Sequence, residues 1–515
     1  MMDRSIFLKP YLFFILTLSF FNYIAPGVSF SYVQSYFGES FADAFWLLRG
    51  FQLCNLITGL AVLVIMKWVG NRPLFIGSLT VLSITTMASQ FVDDFSQVLF
   101  LRIVSGLANG LVSGSALIML MSLFPKEKKG SGTLINVFAV IAGICLGIMA
   151  TSLFTQDYGW KFNYLLSAPA LVMGLVLSVG LINSLPKSPE VDEDWPSILW
   201  FSLFLAGVIF AAVYYEEFEG MNSVGFIVAL SLGLLSGLVF FIRSLTHGKP
   251  LLDASLVLYP QFTFATGLIF LAGFHFVGMV SMLAKLLGGV LKMPLADVLS
   301  FIAVLVVFVL LSAIMVAVLV RQGYKPVWIV IVALLCIAFQ SYTFSRFADD
   351  FSFNLVLKPA FIGIIGAGSL FIGSLLYAMT AVPPPQVTKV SAMHNVIFGL
   401  GCALSSAFFT VHVDLGRVQQ VNYLREYTDE GNPLVQQSRS SQQALYMMNG
   451  YSPDDAAAAA DAGLQGSIKQ QGYFKAITQT YFLVFIVSLL LIALVLLVEF
   501  IRTFKKKEQP APSPA

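Results

Sequence analysis

The chain has 515 residues, of which 58% are hydrophobic and 11% charged, with a mean hydropathy of +0.85. A soluble domain carries about 25% charged residues, so this composition excludes an ordinary globular protein and fits a chain that crosses a membrane many times. The net charge of +2 argues against nucleic acid as a partner, and Cys54, Cys145, Cys336 and Cys402 stand singly in separate apolar runs, with no CxxC and no metal-ligand spacing.

A bilayer core about 30 Å thick takes roughly 20 apolar helical residues per crossing. Runs of that length recur from Tyr11 to Ile501, and they are continuously apolar, which excludes the alternating strands of a β-barrel. The pattern predicts helices near 8–33, 44–66, 73–91, 97–123, 131–154, 161–183, 196–215, 223–243, 262–285, 296–320, 326–344, 355–382, 389–412 and 476–502. The first run lacks a small-residue cleavage site and is expected to be retained. Basic residues such as Lys67, Arg72, Lys126, Lys187, Arg243, Arg321, Lys325 and Lys505 fall inside if both termini are cytoplasmic, whereas Lys285, Lys292 and Arg346 fall outside.

One connection is long. From Asp414 to about Lys475 the chain is rich in Gln, Ser, Ala and Asp, and Ser452 and Pro453 precede the run Ala456 to Ala460, a cap and first turn for a short helix. The segment is expected to face the periplasm as a flexible hairpin, with a protein-docking surface as the sharper alternative.

Several strings resemble the fourteen-helix drug and proton antiporters of the major facilitator superfamily, the EmrB/QacA-like branch. Arg102 to Gly110 is similar to that family's Arg-x-x-Gln-Gly-x-x-x-Gly motif, with Arg102, Gly106 and Gly110 matching and Ser105 departing. Gly159-Trp160-Lys161-Phe162 to Pro169 resembles the segment opening its sixth helix, and Pro250-Leu251-Leu252-Asp253-Ala254-Ser255-Leu256 the one before its ninth. Pro383 to Asn395 adds a weaker match. The resemblance implies an all-α polytopic fold of six plus two plus six helices: a bundle over 1–190, two inserted helices over 191–248, a second bundle over 249–503 that includes the loop 414–475, and a tail over 504–515. It also implies export from a bacterial inner membrane driven by a proton gradient, without a cofactor, and a periplasmic adaptor meeting an outer-membrane channel.

Departures from the family are specific. Leu63, Lys67 and Trp68 replace residues of the cytoplasmic gate motif, leaving Gly70 and Arg72, and Gly147-Ile148 replaces its Gly-Pro, although Gly143 and Gly147 keep a face for close helix packing. Asn22 stands where the family commonly carries a first-helix carboxylate, and an amide exchanges no proton near neutral pH.

A charge at a helix centre costs about 2.5–3.5 kcal/mol, so buried ionisable groups are candidates for function. Arg102, Arg49, Lys161, Lys285 and Lys358 share a level in the outer half, and no acidic residue lies deep in a span. Singly, the last four read as interfacial anchors; together they make a positive central cavity suited to an organic anion such as a siderophore. The candidate binding or coupling residues are thus Asn22, Arg49, Arg102, His275, Lys285, Lys358 and Asn395, with His275 and His394 able to titrate near neutral pH. Aromatic residues including Phe20, Phe21, Tyr23, Trp46, Phe51 and Phe274 are available to line a pocket. No GxSxG, HExxH or Walker loop supports an enzyme. Broad drug efflux, or a non-transporting receptor on the same scaffold, are the alternatives.

Overall fold

The computed structural model describes residues 5–125, 129–182, 194–215, 222–247, 259–348, 351–382, 387–427 and 432–508. Asp253 and most of its motif, Lys126, Lys187 and the acidic residues Glu190 to Glu193 lie outside these. Sixteen α-helices are described: α1 (Ser5–Val28), α2 (Phe30–Phe37), α3 (Phe41–Val69), α4 (Asn71–Ala88), α5 (Phe95–Ser122), α6 (Lys129–Tyr158), α7 (Phe162–Leu181), α8 (Trp195–Val213), α9 (Val224–Thr246), α10 (Pro260–Ala284), α11 (Leu295–Arg321), α12 (Pro326–Ser345), α13 (Phe353–Thr380), α14 (Val387–Tyr427), α15 (Pro433–Met448) and α16 (Pro453–Glu508). Thirteen described helices are long and apolar enough to span a bilayer. The fourteenth predicted span is α4, whose polar content lowers its hydropathy. Its hydroxyls are satisfied within the helix, Ser78 and Ser83 donating to the carbonyls four residues back at 2.7 Å each.

Two sequence expectations need correction. The sequence predicts a first span over 8–33, but the helix breaks after Val28, where Ser29 bonds back to Ala25 and Pro26, and a separate short helix follows. It ends at Gly38, whose φ of 68° suits a residue without a side chain. The long connection is not a flexible hairpin. α14 runs 41 residues and α16 runs 56, about 60 and 84 Å at 1.5 Å per residue, so both continue well past a 30 Å core. Ser452 does cap Asp455, but the helix it opens continues unbroken into the last span. α15 folds back on α16 through Arg439 and Asp461, 2.5 Å apart.

Helix pairing repeats between the halves. α1 packs on α6 as α10 packs on α14, α3 on α5 as α11 on α13, α4 on α5 as α12 on α13, and α4 on α7 as α12 on α16. Each half is therefore the same six-helix unit. Fourteen alternating spans put Ser5 and Glu508 at one end of the bundle, the terminal face, and the α14–α16 extensions at the other, the hairpin face.

Glycines set the closest approaches. A Cβ on Gly106, Gly110 or Gly114 of α5 would lie 2.5 Å from the Phe51 carbonyl, 2.1 Å from Thr58 Oγ1 and 2.9 Å from Val62, all on α3. On α6, Gly143 and Gly147 face Thr17 and Ile24 of α1 at 2.3 and 2.4 Å in the same sense. Where apolar burial cannot drive helices together in lipid, such faces admit close van der Waals contact.

α8 and α9 stand between the halves. α8 is clamped to α3 at both ends, by Trp46 Nε1 donating to the Tyr214 hydroxyl at 3.1 Å and by Trp68 packing edge-on against Trp195 at 5.7 Å. Trp68, a departure from the gate motif, thus holds an inserted helix. The base of α8 is Asp194, its carboxylate fully buried, accepting from Ser197 and from Arg243 of α9 at 2.7 Å. Burial works to raise its pKa, but the Ser197 hydrogen bond and the Arg243 guanidinium outweigh that and hold it below the usual carboxylate value. A depressed carboxylate stabilises above its unfolded pKa near 4, and the gain is lost as pH falls through the folded value. Asp194→Asn is expected to cost about 1–3 kcal/mol at neutral pH and to flatten the acid limb of thermal unfolding measured in detergent. An unchanged acid limb would contradict this.

Candidate functional site

The central residues lie in the half of the bundle nearer the hairpin face. Arg102 enters about 10 Å from the start of α5 and Arg49 about 12 Å from the start of α3, at the helical rise of 1.5 Å per residue. Both are 2% exposed. Arg102 lies over the Phe51 ring, its guanidinium carbon 4.0 Å from the centroid. Its Nε donates to the Leu47 carbonyl and its Nη1 to the Asn22 carbonyl, each at 3.3 Å. Its Nη2 has no hydrogen-bond partner among the described residues. The guanidinium is thus held by two carbonyls and a ring, with one buried donor left over and no carboxylate against it among the described residues.

The Asn22 backbone carbonyl is brought directly to Arg102, a contact that the sequence does not announce. The Asn22 side-chain amide is committed to structure: Nδ2 donates to the Leu18 carbonyl at 3.1 Å and Oδ1 accepts from Ser167 of α7 at 3.1 Å. Arg49 reaches Gln52 Oε1 at 2.5 Å, lies over Phe45 at 4.7 Å, and is close enough to Tyr23 and to Cys402 of α14 to act on both electrostatically. It therefore faces across the interface between the halves. Tyr23 in turn meets Phe51 edge-on at 5.9 Å and Phe20 at 6.2 Å, which supplies an aromatic wall.

The remaining candidates disperse. Lys161 forms an ion pair with Asp93 at the hairpin face; the Lys161 hydrogen bond, with a second from Tyr36, holds the Asp93 carboxyl below its usual range. Lys358 is exposed at the start of α13, and Lys285 is half-buried where α10 ends. His275 of α10 has a buried Nε2 without a hydrogen-bond partner among the described residues. His394 packs between Phe371 and Phe398, and the side chain of Asn395 lies outside the described residues. Trp160 is a packing residue against Tyr36, Phe37 and Tyr164.

Sequence reasoning missed a polar chain beside the site. Ser19 donates to Asn109 Oδ1 at 2.7 Å, and Asn109 Nδ2 to Asn55 Oδ1 at 2.9 Å, which ties α1, α5 and α3 together. It also missed Gln340 and Ser341 of α12, both fully buried with side-chain atoms that find no partner among the described residues. Two adjacent polar residues in an apolar run were the available signal.

The halves meet along α6 and α11, where the Cys145 thiol donates to the Val306 carbonyl at 3.2 Å and Ser152 to the Leu299 carbonyl at 2.9 Å. Between them Ile141, Phe276, Val309, Phe371 and Phe398 enclose about 10 Å³, at most the space of one water, so this seam is dry.

Duplicated six-helix units are the architecture of many secondary transporters. The sequence profile described as Major Facilitator Superfamily matches residues 12–406. The chain belongs to that superfamily. It is a multi-pass membrane transporter, similar to the multidrug export protein EmrB of Escherichia coli (20% identical over 425 residues, 80% of each chain) and to the lincomycin resistance protein LmrB of Bacillus subtilis (22% over 355 residues, 68% of this chain and 72% of that one). Among solved structures it matches a bacterial homologue of the human lysosomal transporter Spinster, with a TM-score of 0.62, 14% identity and coverage of 99% and 100%. That likeness confirms the fold.

Proposed function

We propose that this transporter exports small anionic or amphipathic organic molecules, a siderophore-like chelator among them, from the cytoplasm across a bacterial inner membrane, both termini being cytoplasmic. The observation that carries the reading is Arg102, a buried guanidinium with a free donor, with Arg49 on the neighbouring α3. No Asp or Glu interrupts the middle of α1, α3, α5 or α10 to favour a cation instead. In this reading the free Arg102 donor takes the anionic group, and the aromatic wall of Phe20, Tyr23 and Phe51 takes the apolar part.

The proton gradient is the proposed drive. With Asn22 unable to carry a proton, His275 of α10 is the proposed carrier, and His394 of α14 the alternative. The α14–α16 extensions are the proposed contact for a periplasmic adaptor leading to an outer-membrane channel, which photo-crosslinking from the exposed Leu434 would test.

Mass spectrometry of medium and cells, with and without the gene, checks the substrate class. An anionic metabolite is expected to disappear from the medium and accumulate in the cells when the gene is removed. Unchanged metabolites together with new sensitivity to lipophilic cations would turn the reading to broad drug efflux, which the resistance and multidrug names of the relatives favour.

A further inference from the structure

The two halves make the same connection in different ways. α1 and α3 correspond to α10 and α11. In the second half the π-helical turn Lys285–Val290 ends α10, and residues 291–294 suffice to reach α11. In the first half residues 29–40 do the same task and carry α2, a helix that the connection does not need. Breaks bound it on both sides: Ser29, bonded back to the Ala25 and Pro26 carbonyls, stands before it, and Gly38, with a φ of 68°, stands after it.

α2 covers both buried arginines on the side of the hairpin face. At its start Phe30 meets Phe45 edge-on at 5.5 Å, and Phe45 is the ring over which Arg49 lies. In its middle Val33, 3% exposed, packs in one cluster with Leu47 and Val98. Leu47 supplies the carbonyl that holds Arg102, and Val98 stands one turn nearer the hairpin face on α5 than Arg102 itself. At its end Phe37 meets Phe95 at 5.6 Å and Trp160 at 5.7 Å. The apolar plug above the guanidiniums is therefore closed by α2. Its polar hold, in contrast, lies at the surface. The Tyr36 hydroxyl donates to Asp93 Oδ1 at 2.8 Å, and Lys161 pairs with the same oxygen, so one carboxylate between α4 and α5 ties α2 to the start of α7. An exposed ion pair is weak and screened by salt, which suits a latch that has to release.

We propose that α2 is the outer lid of the substrate site, latched at Asp93 through Tyr36 and Lys161, and that it rises between Ser29 and Gly38 to join Arg49 and Arg102 to the hairpin face. This extends the reading of the two arginines as the substrate site and rests on it. The movement itself needs no substrate, because the latch and the apolar plug are built from the protein alone.

The test is the rate at which N-ethylmaleimide labels single added cysteines in the full-length protein in detergent, measured above the labelling of the native cysteines. V33C and V98C report on the plug, and Q52C, on the residue that accepts from Arg49, reports on the site beneath it. D93A removes the acceptor of both latch contacts and is expected to speed labelling at all three positions about fivefold or more. D461A, which breaks an exposed ion pair of the α15–α16 hairpin instead, is expected to leave all three rates unchanged. Equal labelling with and without D93A, an equal rise in D461A, or a rise at Val33 and Val98 that leaves Gln52 as protected as before overturns the lid. The reagent is uncharged and no substrate is present, so a failure of the anion reading, seen as full activity in Arg102→Gln, leaves these rates as they are and is told apart from a failure of the lid.

Discussion

Arg102→Gln is expected to lower transport of an anionic substrate by about 10- to 100-fold, the loss that follows from removing a charge-assisted hydrogen bond of about 1.5–3 kcal/mol. The variant should remain folded. A guanidinium 2% exposed, without a carboxylate, carries a desolvation cost of its own, so a neutral amide in its place leaves thermal stability unchanged or raises it. That combination, transport lost and stability kept, separates a substrate-binding role from a packing role, which would lose both. Arg102→Lys should recover only part of the activity. An ammonium keeps the charge but cannot span the Leu47 and Asn22 carbonyls as the fork does. Asn22→Asp is the complementary change: it places a carboxylate on the residue whose carbonyl already meets Arg102, neutralises the site, and should shift preference from anions toward neutral or cationic compounds. Uptake of radiolabelled substrate into inverted vesicles, measured beside unfolding in detergent, reads every arm. Full activity in Arg102→Gln would remove the basis of the anion assignment.

The fold was legible because hydropathy is a local property. Thirteen spans announce themselves by length and composition, and even α4, the exception, was visible as a run between Arg72 and Asp93. Polar sequence outside the bilayer is less legible. Asp414 to Lys475 lacks apolar periodicity, yet Ala, Gln and Leu are strong helix formers and no proline follows Pro453 before α16 ends, so the helices continue outward without a hydrophobic face to advertise them.

The site was legible in parts. Arg102 and Asn22 were each singled out by a separate motif, though neither motif says that they meet, and the glycine repeat of α5 declared a contact face. Which helix would fill that face, and that Asn55, Asn109 and Ser19 would link three helices, depends on relative rotation of helices far apart in sequence. Lys358 and Lys161 show the opposite limit. Axial level alone placed them beside Arg49, but they point to the surface, and only the packed bundle distinguishes a cavity wall from an outer one.

Substitution of Gly110 by Leu tests that packing and its hold on the site. The first added carbon would lie 2.1 Å from Thr58 Oγ1, 2.4 Å from the Asn55 carbonyl and 2.9 Å from the Gly59 nitrogen. Two of these atoms are backbone, which cannot swing aside, so α3 and α5 must separate, at a cost of about 3 kcal/mol or more. Gly114→Ala meets only the branched end of Val62 and should cost less, and Gly59→Ala meets nothing within 4 Å and should be neutral. A graded fall in unfolding temperature across Gly59→Ala, Gly114→Ala and Gly110→Leu is the expected result, and equal effects at all three would refute this account of the α3–α5 contact. The consequence reaches the chemistry directly. Asn55 holds Asn109 at 2.9 Å and the Leu47 carbonyl holds Arg102 at 3.3 Å, both across the same contact. Forcing α3 away therefore releases the guanidinium, so transport should fail in Gly110→Leu even at temperatures where the bundle survives.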